Sequence, residues 1–413
     1  MKLAFIVNGF PTLSETFILN QITGLLDRGY EVDIYAVSST GEWPVHADVE
    51  RYNLLQRTFY VGSNGAVPES KVLRLFNGLG YAITKLPKQP KAIVNSLNVL
   101  KYGRDAVSLT ILFQIKPFLD RGPYDVVHGQ FGPNGIVALS LRDKGAFAGK
   151  IITTFRGYDV SSYIRAKGTH IYDELFRRGD LFLCVSERIR DKLIALGCPE
   201  YKTLVHRSGV DTRKFSFVAR EPKSNSRVKL LTIARLVEKK GVQYGIQAVT
   251  KILKNHANVE YTIVGDGPLR GDLETLIAEL QVGNNIKLIG WKSDEEVPEL
   301  LAEADIFLAP SVTSGNGDEE GIPGAVREAL ARGVPVVSTQ HSGIPELVQD
   351  GVSGFLVPER DVDALADKLE YLIKHQETCS QMGNAGRKYV EQHYDLETLN
   401  DRLAEIYEQA VRS

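Results

Sequence analysis

The feature that most limits what this chain can become is a repeated alternation. Short, nearly all-apolar runs are separated by roughly 10–18-residue stretches with helical spacing. The runs fall at 3–7, 32–36, 125–128, 151–155, 181–185 and 203–205, and again at 228–233, 259–264, 286–289, 306–309, 334–337 and 354–357. Runs apolar from end to end suit parallel strands covered on both faces. Strands alternating with helices predict an α/β protein with doubly wound sheets. Two such series predict two Rossmann-like domains facing a central cleft, with ligands at the carboxyl ends of the strands. The polar, aperiodic stretch 220–227 reads as the linker. The expected division is therefore 1–219 and 220–394, with a last helix in 395–413 free to return to the first lobe.

Bulk properties narrow the function. A chain of 413 residues with net charge −2 has no overall attraction for nucleic acid. Cys184, Cys198 and Cys379 have no paired spacing, so neither a metal site nor a disulfide framework is expected. Residues 1–8 read as a strand rather than a signal peptide, and no apolar stretch is long enough to span a bilayer, so the cytoplasm is the expected compartment. Charge is nevertheless uneven. Residues 51–121 hold eleven Lys and Arg against Glu69, Asp105 and Asp120, interspersed with Leu73, Phe76, Leu79, Ile83, Leu100, Leu112, Phe113 and Phe118. Two readings stand: a solvated face on packed helices, or a surface that lies on an anionic membrane.

The densest motif is Glu320-Gly-Ile-Pro323-Gly324-Ala325-Val-Arg-Glu328, followed by Gly333 and an apolar run. Pro323 suits the start of a helix and Gly333 the position past its end. If the span is helical throughout, the two carboxylates stand about 12 Å apart along the axis. A helix N-terminus lies between them, and its free N–H groups suit a phosphate. The pair is either two solvated glutamates or a grip on both ends of an extended anion. Arg235 and Lys240 follow the 228–233 run, at a strand end expected to face the same crevice, where two cations can neutralise a diphosphate leaving group. Val264-Gly265-Asp-Gly267-Pro-Leu-Arg270 is not a dinucleotide fingerprint, because Arg270 stands at the third glycine position. It is a tight turn that either lets backbone approach a nucleotide or merely reverses the chain.

In the first lobe, Thr12, Ser14 and Glu15 follow the first strand. Thr12 with Glu15 matches a capping box, and the same position aims them at the cleft. His128 and Gln130 end another strand, and Arg156 and Asp159 follow a third. Nucleophile-elbow, P-loop and zinc-protease signatures are absent from the sequence.

Taken together, the Gly209-Val-Asp211 and Phe215 group, Arg235 with Lys240-Gly, Gly265-Asp-Gly-Pro, Ala304-Asp-Ile-Phe-Leu-Ala-Pro-Ser, the Glu320/Glu328 pair and Gly343-Ile-Pro-Glu resemble glycosyltransferase family 4 over essentially the whole chain. Pro11-Thr-Leu-Ser-Glu-Thr-Phe-Ile and Glu320-Gly-Ile-Pro resemble its exopolysaccharide branch, which includes colanic acid enzymes. The resemblance implies a GT-B fold and metal-independent, retaining transfer from a nucleotide-diphosphate sugar, with no cofactor. By it, Arg235 and Lys240 hold the diphosphate, Glu328 the ribose, and Glu320 the transferred sugar. Gly324 and Ala325 give backbone N–H groups to phosphate, with Pro323 and Gly265 also on the donor side. His128 takes any catalytic role in its segment, while Thr12, Ser14, Glu15, Gln130, Arg156 and Asp159 face the acceptor. The expected acceptor is a saccharide, lipid-linked if the basic region meets the membrane. Family members often carry His where Gln130 and Arg156 stand, and Phe-Gly where Ile322 and Pro323 stand. A nucleotide-sugar-binding protein, a GT-B epimerase and a phosphorylase are the rival readings.

Overall fold

The computed structural model describes residues 1–12, 15–41, 46–61, 67–68, 70–220 and 227–413. Ser14 and most of the polar 220–227 stretch lie outside them. The first lobe is a seven-stranded parallel sheet of β1 (Lys2–Gly9), β2 (Glu31–Ser38), β3 (Thr58–Tyr60), β4 (Val126–Gln130), β5 (Lys150–Phe155), β6 (Leu181–Cys184) and β7 (Thr203–Val205). Its strand order is β3-β2-β1-β4-β5-β6-β7. The second lobe is a six-stranded parallel sheet of β8 (Val228–Ile233), β9 (Val259–Val264), β10 (Ile286–Leu288), β11 (Ile306–Ala309), β12 (Val336–Thr339) and β13 (Gly354–Val357), in the order β10-β9-β8-β11-β12-β13. The expected pair of doubly wound domains is present. β3 was not foreseen, since three residues within a basic stretch carry no periodicity. β12 starts two residues later than the apolar run because Pro335 has no N–H for a ladder.

Burial on both faces is visible in β1. Ala4 and Ile6 pack on one side with Phe118 and Phe155. Leu3, Phe5 and Val7 pack on the other with Leu403, Ile406 and Tyr407 of the last helix, Leu396–Arg412. That helix therefore supplies part of the first lobe's core. Its start is capped by Asp395, which accepts the Thr398 N–H at 3.0 Å, and Arg28 holds Glu397 and Asp401 at 3.0 and 2.7 Å. The connector joins the second lobe early: Val210 and Phe215 lie in that lobe's core, ahead of position 220. Arg387 fixes it there, donating to the carbonyls of Thr212, Phe215 and Ala331.

The basic segment after β3 folds into helices Lys71–Lys85, Pro90–Ser96, Val99–Tyr102, Arg104–Val107 and Thr110–Arg121. Of its apolar residues, Leu112, Phe113 and Phe118 are buried, whereas Leu73, Phe76, Leu79, Ile83 and Leu100 are exposed.

Strand order reverses between β1 and β4 and between β8 and β11. In open parallel sheets such a reversal splays the following loops apart and leaves a crevice. Here those loops begin at Phe10, Phe131, Ala234 and Pro310, and the site is built on them.

Candidate functional site

In the second lobe, β8 ends in a loop that turns through a short 3-10 segment, Glu238–Lys240, before the helix Val242–Leu253. Gly241 has φ +61°, and a Cβ there would lie 1.9 Å from the Pro310 carbonyl, so the β8 and β11 loops touch backbone to backbone. Gly265 and Gly267 serve the same loop from the other side. A Cβ on Gly265 would lie 1.9 Å from the Ala234 carbonyl, while the Leu236 N–H donates to the Asp266 carbonyl at 2.8 Å. The glycine turn is thus a buttress under Arg235. The Arg235 guanidinium is exposed and has no hydrogen-bond or ion-pair partner among the described residues.

Only part of the Glu320–Glu328 span is helical. The helix is Gly324–Ala331, preceded by Pro323 in extended geometry (φ −62°, ψ 129°), so the continuous 12 Å axial spacing does not apply. Gly333 follows the helix at φ +79°, the left-handed position expected of it. Glu320 lies in the loop ahead, buried at the lobe interface. Its Oε2 accepts from Lys240 Nζ at 2.8 Å, Lys239 stands 3.8 Å from Oε1, and Oε1 has no hydrogen-bond partner. Burial pushes this carboxyl up, but Lys240 and Lys239 more than offset it and hold the group below its ordinary value. The Glu320 N–H donates to His341 Nε2 at 3.1 Å, which leaves the proton on Nδ1 to reach Glu359 at 2.6 Å.

Glu328, one turn into the helix, is partly buried, and its carboxylate makes no hydrogen bond or ion pair with another described residue. Burial raises its pKa against the opposing pull of Arg327, with Asp294 adding to the rise. A carboxylate with free lone pairs, held where ionisation is disfavoured, suits a ligand that brings hydroxyl donors.

The first lobe closes over this site through residues 156–157. The backbone of Gly157 fits against the Glu319 carbonyl, and Gly321 fits against the Arg156 carbonyl; a Cβ on either would come within 2.9 and 2.5 Å. His128 requires a correction. It is fully buried, with Nδ1 2.6 Å from the Tyr407 hydroxyl and Nε2 2.7 Å from the Thr154 hydroxyl. Burial drives its pKa well below the ordinary value, so it is neutral and sealed beneath the last helix rather than facing a substrate. Asp159 is equally enclosed. It accepts from the backbone N–H groups of Gly132, Arg156 and Gly157 at 2.9–3.0 Å and ties the β4 and β5 ends together. Gln130 is buried, donating to Gln21 and accepting from Arg156 Nη2 at 2.8 Å. Arg156 also reaches Ser208 at 2.9 Å and lies 3.9 Å over the Phe17 ring. Burial lowers it to about 9, still charged at neutral pH. Of the acceptor-side candidates, Thr12 and Glu15 line a small hollow of the first lobe with Phe10, Ile18 and Val49. The capping box does not form: the helix starts at Thr16 with Glu15 as its cap residue and no side-chain capping bond.

The structure adds residues that sequence reasoning did not select: Lys239, Arg327, His341 and Glu359. His341 and Glu359 follow β12 and β13, the same strand-end rule that pointed to the others, so that signal was present. Arg327 is buried in the helix and donates to the Ser208 carbonyl at 2.6 Å across the lobes, a contact no local pattern announces.

Family models for Glycosyltransferase Family 4 and for Glycosyl transferases group 1 match residues 14–214 and 214–389. The colanic acid biosynthesis glycosyltransferase WcaL of Salmonella typhimurium is 39% identical, covering 98% of this chain and 99% of its own. The chain belongs to glycosyltransferase family 4. The amylovoran biosynthesis glycosyltransferase AmsK of Erwinia amylovora is 38% identical to this glycosyltransferase, covering 99% of both chains. Among solved structures, Anabaena HepE in complex with UDP-glucose superposes with a TM-score of 0.72 at 18% identity, over 99% of this chain and 100% of that one. Sucrose-phosphate synthase from Thermosynechococcus elongatus gives 0.74 at 17%, over 99% and 98%. These likenesses show that the glycosyltransferase has the GT-B fold. In its first lobe, Gln130 and Arg156 form one hydrogen-bonded pair. No helix among its described residues is long and apolar enough to cross a membrane.

Proposed function

We propose that this glycosyltransferase moves a sugar from a nucleotide-diphosphate sugar to a saccharide acceptor, with retention and without a metal, in exopolysaccharide assembly. The acceptor is a polyprenyl-linked oligosaccharide reached from the cytoplasmic face of the membrane. What carries the reading is the Lys240–Glu320 contact at 2.8 Å, which puts a cation and a buried carboxylate together just ahead of the Gly324–Ala331 helix N-terminus. The full-length likeness to WcaL and AmsK supports the exopolysaccharide context.

In this reading the diphosphate lies between Lys240, Arg235 and the N–H groups of Gly324 and Ala325, with Pro323 turning the chain into that helix. Glu328 accepts the ribose hydroxyls, and Glu320 holds the transferred sugar. The acceptor hydroxyl forms its bond to the anomeric carbon on the face from which the diphosphate departs. The carbon–oxygen bond to the leaving phosphate breaks, and a phosphate oxygen takes the hydroxyl proton. Charge grows on the leaving diphosphate, where Lys240, Arg235 and the helix dipole offset it. Thr12 and Glu15 face the acceptor; Gln130, Arg156 and Asp159 shape that wall from behind, and the proton path needs no histidine.

The test is nucleoside-diphosphate release from UDP-, GDP- and ADP-sugars in EDTA, wild type beside Glu320→Ala and Lys240→Ala. Release from one donor is expected, with kcat lowered about 30- to 1,000-fold in Lys240→Ala as the barrier rises by about 2–4 kcal/mol. Donor binding without turnover when acceptor is supplied would instead mark a nucleotide-sugar-binding protein. Activity that disappears in EDTA and returns with a divalent ion would overturn the metal-independent mechanism.

A further inference from the structure

The helix Lys71–Lys85 is mounted with its amphipathicity reversed. Gly78 packs against Leu109 and Phe113, where a Cβ would come within 2.6 Å of Leu109, and Ala82 is buried in the core. On the same inward side, the Tyr81 hydroxyl donates to Asp120, Lys85 pairs with Asp120 at 2.7 Å, and Arg74 donates to the Pro68 carbonyl. The face turned to the protein is thus small and polar. Val72, Leu75, Phe76, Leu79, Ile83 and Leu86 recur at helical spacing on the opposite face, and all are exposed, Phe76 and Ile83 by 72% and 71%. A helix that covers a core does the reverse. Val94, Val99, Leu100 and Val107, on the short helices that follow, are exposed as well. An exposed apolar stripe along one helix marks an interaction site.

The charge around it selects the partner. Residues 71–107 carry seven Lys and Arg against Asp105 alone. Lys88, Lys91, Lys101 and Arg104 are exposed along this edge. A second copy docking through the same face would bring like charges together. Anionic lipid headgroups, with acyl chains beneath them, match both the basic rim and the apolar centre. We infer that this face is a membrane-docking surface: the Val72–Leu86 stripe enters the headgroup–acyl boundary of an anionic bilayer while the cations at 88, 91, 101 and 104 engage the headgroups. The inference deepens the proposed function, since a lipid-linked acceptor rests in such a surface, but the contact itself requires no turnover.

The experiment is flotation of the full chain with vesicles of phosphatidylcholine alone and of phosphatidylcholine with phosphatidylglycerol. Binding to the anionic vesicles only, weakened by salt, is expected. Phe76→Ser with Ile83→Ser should lower the bound fraction by more than about tenfold, since two large side chains no longer leave water. Lys88→Glu with Lys91→Glu should lower it independently while leaving the apolar stripe intact. Nucleoside-diphosphate release should persist in both variants with a detergent-solubilised acceptor. Equal binding to neutral vesicles, or no binding to either, would overturn the inference, as would a dimer in solution that the Phe76/Ile83 variant disperses. Loss of transferase activity in wild type with flotation intact would instead strike the proposed function and leave the docking surface standing.

Discussion

At the scale of single residues, the same side-chain type takes opposite roles according to what surrounds it. Glu320 is held ionised by two lysines, whereas Glu328 has no cation bonded to it and its pKa is raised. For Glu328 the sign of the pH effect follows directly. Its folded value lies above the ordinary 4.5, so its contribution to stability is full below 4.5 and falls as pH rises through the folded value. Glu328→Gln should therefore raise Tm at neutral pH while weakening nucleotide-sugar binding. Wild-type affinity should fall on acidification at a pH where Glu320 is still charged, and this step should vanish in Glu328→Gln; calorimetry at a series of pH values reads both. His128 illustrates how burial decides a role. His128→Phe orphans the Tyr407 and Thr154 hydroxyls, each at a cost of about 1–3 kcal/mol. Tm should fall clearly, with kcat unchanged at temperatures where the variant is folded. A collapse of kcat without loss of Tm would return the histidine to the chemistry.

At the scale of elements, the site is made of turns whose backbones must touch. Gly265 shows this best, because its φ of +125° and the Ala234 carbonyl both exclude a side chain. Gly265→Ala should destabilise by about 1–3 kcal/mol. It should also shift the loop carrying Arg235, so donor KM rises as well, and a thermal melt beside donor-saturation kinetics separates the two. The strands were legible in the sequence because burial on both faces writes itself as unbroken apolar runs; the end of one run pointed to Arg235 and Lys240, and the Gly/Pro-rich entry into a helix pointed to Glu320 and Glu328. Local patterns failed where distant parts of the chain decide the outcome. His128 looked available until Tyr407, from the far end of the sequence, closed over it. Thr12 and Glu15 matched a cap that the helix, starting at Thr16, does not use. The reversed face of Lys71–Lys85 could not be assigned an orientation from periodicity, which gives the stripe but not the side that meets the protein.

At the scale of the whole molecule, the two lobes are latched by side chains of the second lobe that hold a helix of the first. Glu346 of the second lobe accepts the N–H groups of Glu187 and Arg188 at 2.8 and 2.9 Å, capping a first-lobe helix from across the cleft. Lys192 pairs with Glu319 at 2.5 Å beside it. Glu346→Ala should open the lobes, seen as a larger radius of gyration in small-angle scattering, and should raise donor KM more than it lowers kcat. An unchanged radius would mean that the Glu319–Gly321 contact with Arg156 and Gly157 suffices on its own. The last helix, Leu396–Arg412, has a further consequence, one of timing. The ribosome finishes β7 about 200 residues before it makes Leu403 and Tyr407. At ~5–20 residues per second the first lobe waits roughly 10–40 s with one face of its sheet uncovered. A nascent chain of this protein therefore offers chaperones an apolar face during that interval, and synthesis from the amino terminus is the order least convenient for its own first domain.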